Sequence, residues 1–198
     1  MIHKLLKGKK IVLASASPRR SDLLKLVGLN FIQVPPNIDE AFTESDHDNP
    51  KKYVKRIAYD KCVFISKQMD DDCVVIAADT IVYFDKKIYG KPESNTEAAE
   101  YLRTLSNQTH IVYSCVVVSY RRKIVFDIAK TKVKFMELSD EMIDEYILTN
   151  EPFDKAGAYG IQGFGSQFIE KVDGCYFNVM GFPMNSFFRL VLGLLAHG

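Results

Sequence analysis

The segment Cys73 to Ala78, CVVIAA, is an unbroken apolar run that ends on Asp79-Thr80. It constrains the fold more than any other stretch of this chain. It is far too short to cross a membrane and has no polar alternation, so it reads as a β-strand buried on both faces. Such a strand needs covering layers on both sides of its sheet, which means an α/β architecture. Helix patterns flank it as that requires. Ser17-Pro18 is a cap followed by proline, ahead of Leu23, Leu24, Leu26 and Val27, with Gly28 as the stop. Asn49-Pro50 repeats the device and opens a helix expected to reach about Met69.

The apolar face of that second helix is Val54, Ile57, Ala58, Cys62 and Ile65, and Lys61 falls inside the stripe. An inward lysine must snorkel out or meet an anion, because an unpaired buried charge is costly. Other strands are expected at Ile11 to Ala14, Phe31 to Val34, a hairpin of Ile81–Phe84 with Lys87–Tyr89, and the long pair Thr109–Tyr120 and Ile124–Leu138. Phe168–Val172 and Tyr176–Met180 also read as strands. Further helices are expected from Thr96 to Ser106, from Ser139 to Asn150 and from Met184 to Ala196. Neither a repeat nor a linker interrupts the 198 residues, and the chain reads as one domain, 1–198.

Charge and cysteine content exclude several function classes. With 26 Lys+Arg against 25 Asp+Glu, the chain lacks the basic excess of a nucleic-acid polymer binder. No apolar run approaches the length of a membrane span, and the first residues, MIHKLLKGKK, do not form a secretory signal. The expected location is therefore cytoplasmic. Cys62, Cys73, Cys115 and Cys175 are scattered, as are His3, His47, His110 and His197, so no zinc spacing occurs and the thiols read as reduced.

Besides Lys61, five places carry polar groups suited to chemistry. Ser15-Ala16-Ser17-Pro18-Arg19-Arg20 puts hydroxyls, guanidiniums and free amides where a strand hands over to a helix, a setting that favours phosphate. The same pattern also describes an ordinary capped helix with solvated arginines. Asp79 stands at the expected carboxyl end of the central strand, where open α/β sheets place ligands, and it either serves chemistry or caps a turn. Glu40 lies in an acidic loop. Lys91 is held between Gly90 and Pro92. Gln162 sits in a segment with Gly157, Gly160, Gly163 and Gly165, whose glycines permit either close backbone approach or a mobile loop. Taken together, the cations Arg19, Arg20, Lys61 and Lys91 and the carboxylates Glu40 and Asp79 suit a triphosphate with a divalent metal. The sequence has neither a Walker nor a dinucleotide glycine loop.

These segments, with Asp39-Glu40, Tyr53-Val54-Lys55-Arg56-Ile57-Ala58, Ala78-Asp79-Thr80, Gly90-Lys91-Pro92 and DKAGAYGIQG from Asp154 to Gly163, resemble the Maf family in order and over roughly residues 10–195. The resemblance implies an inosine triphosphatase-like fold: an elongated mixed sheet with flanking helices and two lobes around a central cleft. It also implies a nucleoside triphosphate pyrophosphatase with a nucleotide house-cleaning role, which uses Mg²⁺ or Mn²⁺ and resembles the branch acting on dTTP, UTP and modified pyrimidine forms. On that resemblance Asp79 matches the proton acceptor, and Arg19, Thr80 and Gln162 match positions linked to substrate choice. Ser15, Arg20, Glu40, Lys61 and Lys91 match the remaining polar positions of the cleft. Glu40 and Asp79 are the expected metal ligands, and the resemblance is compatible with a homodimer. The alternative it carries is a nucleotide-binding regulator of septum formation or cell division that acts through a partner. The turns Asp70-Asp71-Asp72 and Arg121-Arg122-Lys123 read as solvated surface.

Overall fold

A computed structural model describes residues 1–196; His197 lies outside them. The elements in order are α1 (Ile2–Leu5), β1 (Ile11–Ala14), α2 (Pro18–Leu26), β2 (Ile32–Gln33), α3 (Glu44–His47), α4 (Pro50–Ser66), β3 (Val74–Phe84), β4 (Lys87–Tyr89), α5 (Asn95–Leu105), β5 (Thr109–Tyr120), β6 (Lys123–Phe135), α6 (Asp140–Leu148), β7 (Ile169–Asp173), α7 (Tyr176–Val179) and α8 (Met184–Ala196). Three short 3₁₀ turns, at Glu151–Asp154, Ala156–Ala158 and Phe164–Phe168, shape the glycine-containing segment. No helix among the described residues is long and apolar enough to cross a membrane.

One seven-stranded mixed sheet runs through the molecule in the order β2-β1-β3-β5-β6-β7, with β4 beside β3. β1 pairs in parallel with β2 and β3, and the remaining pairs are antiparallel. The central strand is buried on both faces as its composition requires. Val74, Ile76 and Ala78 pack with Leu23, Leu24, Phe182, Phe187 and Val191 from α2 and the C-terminal segment. Val75 and Ala77 face the other way, onto Val54, Ile57, Ala58, Cys62 and Ile65 of α4. A third cluster sits at the far end of the sheet, where α5 and α6 cover Val112, Val133 and Phe135. Two packed ends therefore share one sheet, with an opening between them.

Several expectations need correction. β3 does not end before Asp79; it runs on through Thr80, Ile81 and Val82 to Phe84. The β-branched residues after Asp79 favour the extended chain, and the Asp79 carboxylate is satisfied by a lysine, so nothing breaks the strand. Tyr176–Val179 is a helical turn rather than a strand. Asn178 is fully buried there, donating to the Val112 carbonyl and Thr131 Oγ1, and that docking decides its conformation. α1 and α3 stand where no helix was expected. α3 carries a reciprocal capping box between Thr43 and Asp46, and His47 Nδ1 accepts from the Ile88 amide and ties it to β4. Ser94, not Thr96, caps α5. The charged turns are exposed as expected, and they pair across the surface, Arg121 with Asp72 at 2.9 Å and Arg122 with Asp71 at 2.8 Å.

Candidate functional site: a polar cleft at a gap in the sheet

Strand pairing creates the site. The parallel partner β1 reaches only Ala77 of β3, and the antiparallel partner β4 ends opposite Val82. On the opposite side β5 pairs with β3 without interruption from Val75 to Tyr83. Residues 78–81 of β3 thus present an open strand edge between the two packed ends. This is the floor of a cleft of about 860 Å³, lined by Arg19, Arg20, Glu40, Lys61, Asp79, Thr80, Lys91, Asp154, Lys155 and Gln162 among others.

Strand alternation sends Asp79 and Thr80 to opposite faces. Asp79 turns toward α4, where the helical period has placed Lys61 among apolar neighbours. Lys61 is 5% exposed and Asp79 7% exposed. The inward lysine meets not one anion but two: its Nζ donates to Glu40 Oε2 at 2.6 Å and to Asp79 Oδ1 at 2.9 Å. Glu40 comes from the loop after β2, and Tyr53 of α4 anchors that loop by donating its hydroxyl to the Glu40 carbonyl at 2.6 Å. Burial, with the Asp79 charge next, raises the Tyr53 phenol well above its ordinary pKa, so it stays a donor.

Thr80 faces α2 and the C-terminal segment. Its Oγ1 lies 2.8 Å from Ser114 Oγ and 3.2 Å from the Gly181 carbonyl. Arg20 completes this knot through Nε to the Gly181 carbonyl, one terminal nitrogen to Ser15 Oγ and the other to Thr80 Oγ1. Desolvation lowers the pKa of Arg20, opposed by the nearby Asp79 charge. Ser15 does not line the cavity; its hydroxyl accepts from Arg20 and from the Ser17 amide behind the wall. Ser17 starts α2 without a side-chain cap bond.

Arg19 spans the opening. It donates to Asp154 Oδ2 at 2.6 Å and to the Asp154 carbonyl at 3.0 Å, which joins the N-terminus of α2 to the glycine-containing segment. Burial opposes ionisation of Asp154, but the Lys155 ammonium and the Arg19 guanidinium outweigh it and hold the carboxyl below its ordinary value. Lys91 is exposed on the rim, and the preceding Gly90 carbonyl accepts from the Gly157 amide at 2.9 Å. Gly157 has φ +71° and packs on Val82, where a Cβ would come within 2.7 Å of Cγ2. Gln162 also lines the cleft, and its side chain has no hydrogen-bond partner among the described residues.

The residue set fits a hard divalent cation. The lysine occupies one oxygen of each carboxylate, leaving Glu40 Oε1 and Asp79 Oδ2 without hydrogen bonds to described residues. No group of three or more His, Cys, Asp or Glu side chains among the described residues forms a protein-only cage. Mg²⁺ characteristically takes one or two carboxylates and completes its shell with water and substrate phosphate. Cysteine chemistry is not part of this site: burial pushes the Cys62 and Cys115 thiols up to about 12, and all four cysteines are free.

The sequence reading missed Asp154 and Lys155 as cleft residues, although they stand within the motif it drew on. It also missed Tyr53, which heads another of those motifs, and Ser114 and the Gly181 carbonyl, for which no local pattern exists.

The chain is similar over nearly its whole length to known proteins. The model of the family described as Maf-like protein matches residues 10–194. A dTTP/UTP pyrophosphatase of Clostridium perfringens (strain SM101 / Type A) is 43% identical over 182 residues, covering 91% of this chain and 94% of its own. One from Thermosipho africanus is 46% identical over 176 residues, covering 89% and 88%. A solved Staphylococcus aureus Ham1 protein covers 96% of this chain at 16% identity and a TM-score of 0.47, too distant to carry an argument. A family match over nearly the whole length, together with relatives of this identity and coverage, shows that the chain belongs to the Maf-like protein family.

Proposed function

We propose that this protein hydrolyses nucleoside triphosphates of the dTTP and UTP kind to the monophosphate and pyrophosphate, with Mg²⁺ or Mn²⁺ held by Glu40 and Asp79. The observation that carries this reading is the Glu40–Lys61–Asp79 constellation on an open strand edge, at the base of a cleft that is also lined by arginines and an unengaged amide. The names of the relatives accord with it.

A divalent cation bound there would supply charge neutralisation on the phosphates and a more acidic water. The remaining work falls to the chain's own groups. The Asp79 carboxylate orients a water toward the α-phosphorus and accepts its proton, while its bond to Lys61 holds the group in one geometry. Lys61, Arg19 and Lys91 offset the negative charge on the phosphates, where most catalysis of phosphoryl transfer resides. Arg20 contributes charge from the cleft wall, and its three bonds fix Ser15, Thr80 and the Gly181 carbonyl. Gln162 reads the pyrimidine edge with one donor and one acceptor. The same reading places the protein in the cytoplasm, with nucleotide and not polymer as its partner. A purely regulatory nucleotide binder is not favoured, since such a protein has no use for a buried carboxylate held ready beside a water site.

The test is incubation with Mg²⁺ and a panel of canonical and modified nucleoside triphosphates. Pyrophosphate release from dTTP or UTP is the expected result. Release of orthophosphate, or no release, would overturn the reading.

A further inference from the structure

The wall that carries Gln162 is built around a residue that does not touch the cleft. Glu151 opens the 3₁₀ turn after α6, and its carboxylate points into the glycine-containing segment. Oε2 accepts the Phe164 amide at 2.7 Å, and Oε1 accepts the Gly165 amide at 3.2 Å. The buried Tyr146 hydroxyl donates to the same Oε1 at 3.0 Å and accepts the Gly160 amide at 3.2 Å. Three backbone amides, one before Gln162 and two after it, are therefore held by one carboxylate and one phenol. Burial, with the Glu151 charge next, raises the Tyr146 pKa above its ordinary value, so the phenol remains a donor.

The glycines record how tight this clamp is. Gly160, Gly163 and Gly165 are not in the positive-φ region, so glycine is not needed there for backbone conformation. A Cβ on Gly163 would overlap the Glu151 carboxylate, and one on Gly165 would lie 2.8 Å from the Tyr146 hydroxyl. At Gly163 and Gly165 the carboxylate and the phenol leave no room for a side chain, and at Gly160 the Lys155 stem does so together with the carboxylate.

We propose that Glu151, acting with Tyr146, is a positioning residue that holds the Gln162 turn in register and thereby sets base discrimination. The inference rests on the proposed nucleotide hydrolysis and assigns the determinant of its substrate choice. Glu151→Gln keeps the size but puts an NH₂ against an amide donor, so at least one clamp bond is lost. A lost hydrogen bond to a charged group corresponds to roughly tenfold or more in an equilibrium.

The experiment measures kcat and KM of wild type, Glu151→Gln and Tyr146→Phe with dTTP, UTP, dCTP and GTP, alongside thermal melting. NMR amide exchange is followed at Phe164 and Gly165. Tyr146→Phe keeps the ring packed on Phe168, at 4.9 Å between centroids, and so guards against a variant that merely misfolds. The expected result is folded variants with a KM for dTTP about tenfold higher, a dTTP-to-GTP ratio of kcat/KM that falls about as much, and roughly tenfold faster exchange at both amides. An equal loss on every nucleotide, or unchanged base ratios with unchanged exchange, would overturn the proposal and leave the hydrolytic reading intact. A wild-type protein inactive on every nucleotide would instead refute the hydrolytic reading, and amide exchange would still decide whether the clamp exists.

Discussion

Replacing Asp79 by asparagine separates charge from shape on the floor of the cleft. The side chain keeps its volume and an oxygen that can accept from Lys61 Nζ, now 2.9 Å away. What it loses is the negative charge and the ability to take a proton. Stability should change little, because Glu40 remains on Lys61 at 2.6 Å and still neutralises it. Exchanging one charge-assisted hydrogen bond for a neutral one costs about 1–2 kcal/mol. Against a typical domain stability of about 5–15 kcal/mol, this leaves under about 1% of molecules unfolded. Turnover should nevertheless fall by about 10²–10⁴, the usual contribution of a positioned general base. Pyrophosphate release from dTTP at saturating Mg²⁺, with urea unfolding of the same samples, gives both numbers. Lys61→Met provides the contrast. It strands the buried Asp79 carboxylate and should cost about 3–5 kcal/mol, at the lower end because the Glu40 side chain is 47% exposed and can turn to water. A folded Asp79→Asn variant within about tenfold of wild-type turnover would refute the assignment of Asp79 to proton transfer.

Gln162→Ala should leave kcat for dTTP within about tenfold of wild type while compressing the kcat/KM ranking across bases, since a site built to hydrogen-bond its substrate loses selectivity when that partner goes; an unchanged ranking in a nucleotide panel would remove the residue from base recognition. Gly163→Ala should reproduce the loss of discrimination expected of Glu151→Gln, because the new methyl displaces the carboxylate, and wild-type ratios for this variant would show that the turn tolerates a looser fit. His110 is fully buried, and burial pushes its imidazole down to about 3 from 6.5. The unfolded chain thus takes up a proton below pH 6.5 that the folded chain refuses, so stability is full above that pH and should fall by about 1.4 kcal/mol per pH unit between roughly pH 6 and 3. Urea unfolding of wild type and His110→Phe across pH 4–8 checks this; equal slopes in the two proteins would mean that another group carries the linkage.

Much of the scaffold was legible along the chain because its causes are local. The stripe that defined α4 is buried as read, from Val54 to Ile65. The β5–β6 hairpin forms where it was expected, but its turn is Arg121-Arg122 alone, both in the left-handed region at φ 48° and 63°, and Lys123 already pairs with Tyr120. The same logic misjudged Tyr176–Val179, where a short aromatic run offers no period to choose between strand and helix and the buried amide of Asn178 decides. It also misplaced Asp79 by treating a lone carboxylate as a strand terminator.

The sequence by itself determined the layered α/β class, the inward lysine and the inventory of charges, since each follows from spacing and burial within one element. Tertiary structure alone decided which charges meet. That β1 ends opposite Ala77 and β4 ends opposite Val82, opening the sheet beside Asp79, is a matter of register between strands. That Lys61 receives two carboxylates, that Arg19 crosses to Asp154, and that Glu151 grips the turn bearing Gln162 are likewise contacts between remote segments. The physical reason is that periodicity specifies only which face of an element is buried. Electrostatic and hydrogen-bond partners depend on distances in space, which only the packed chain defines.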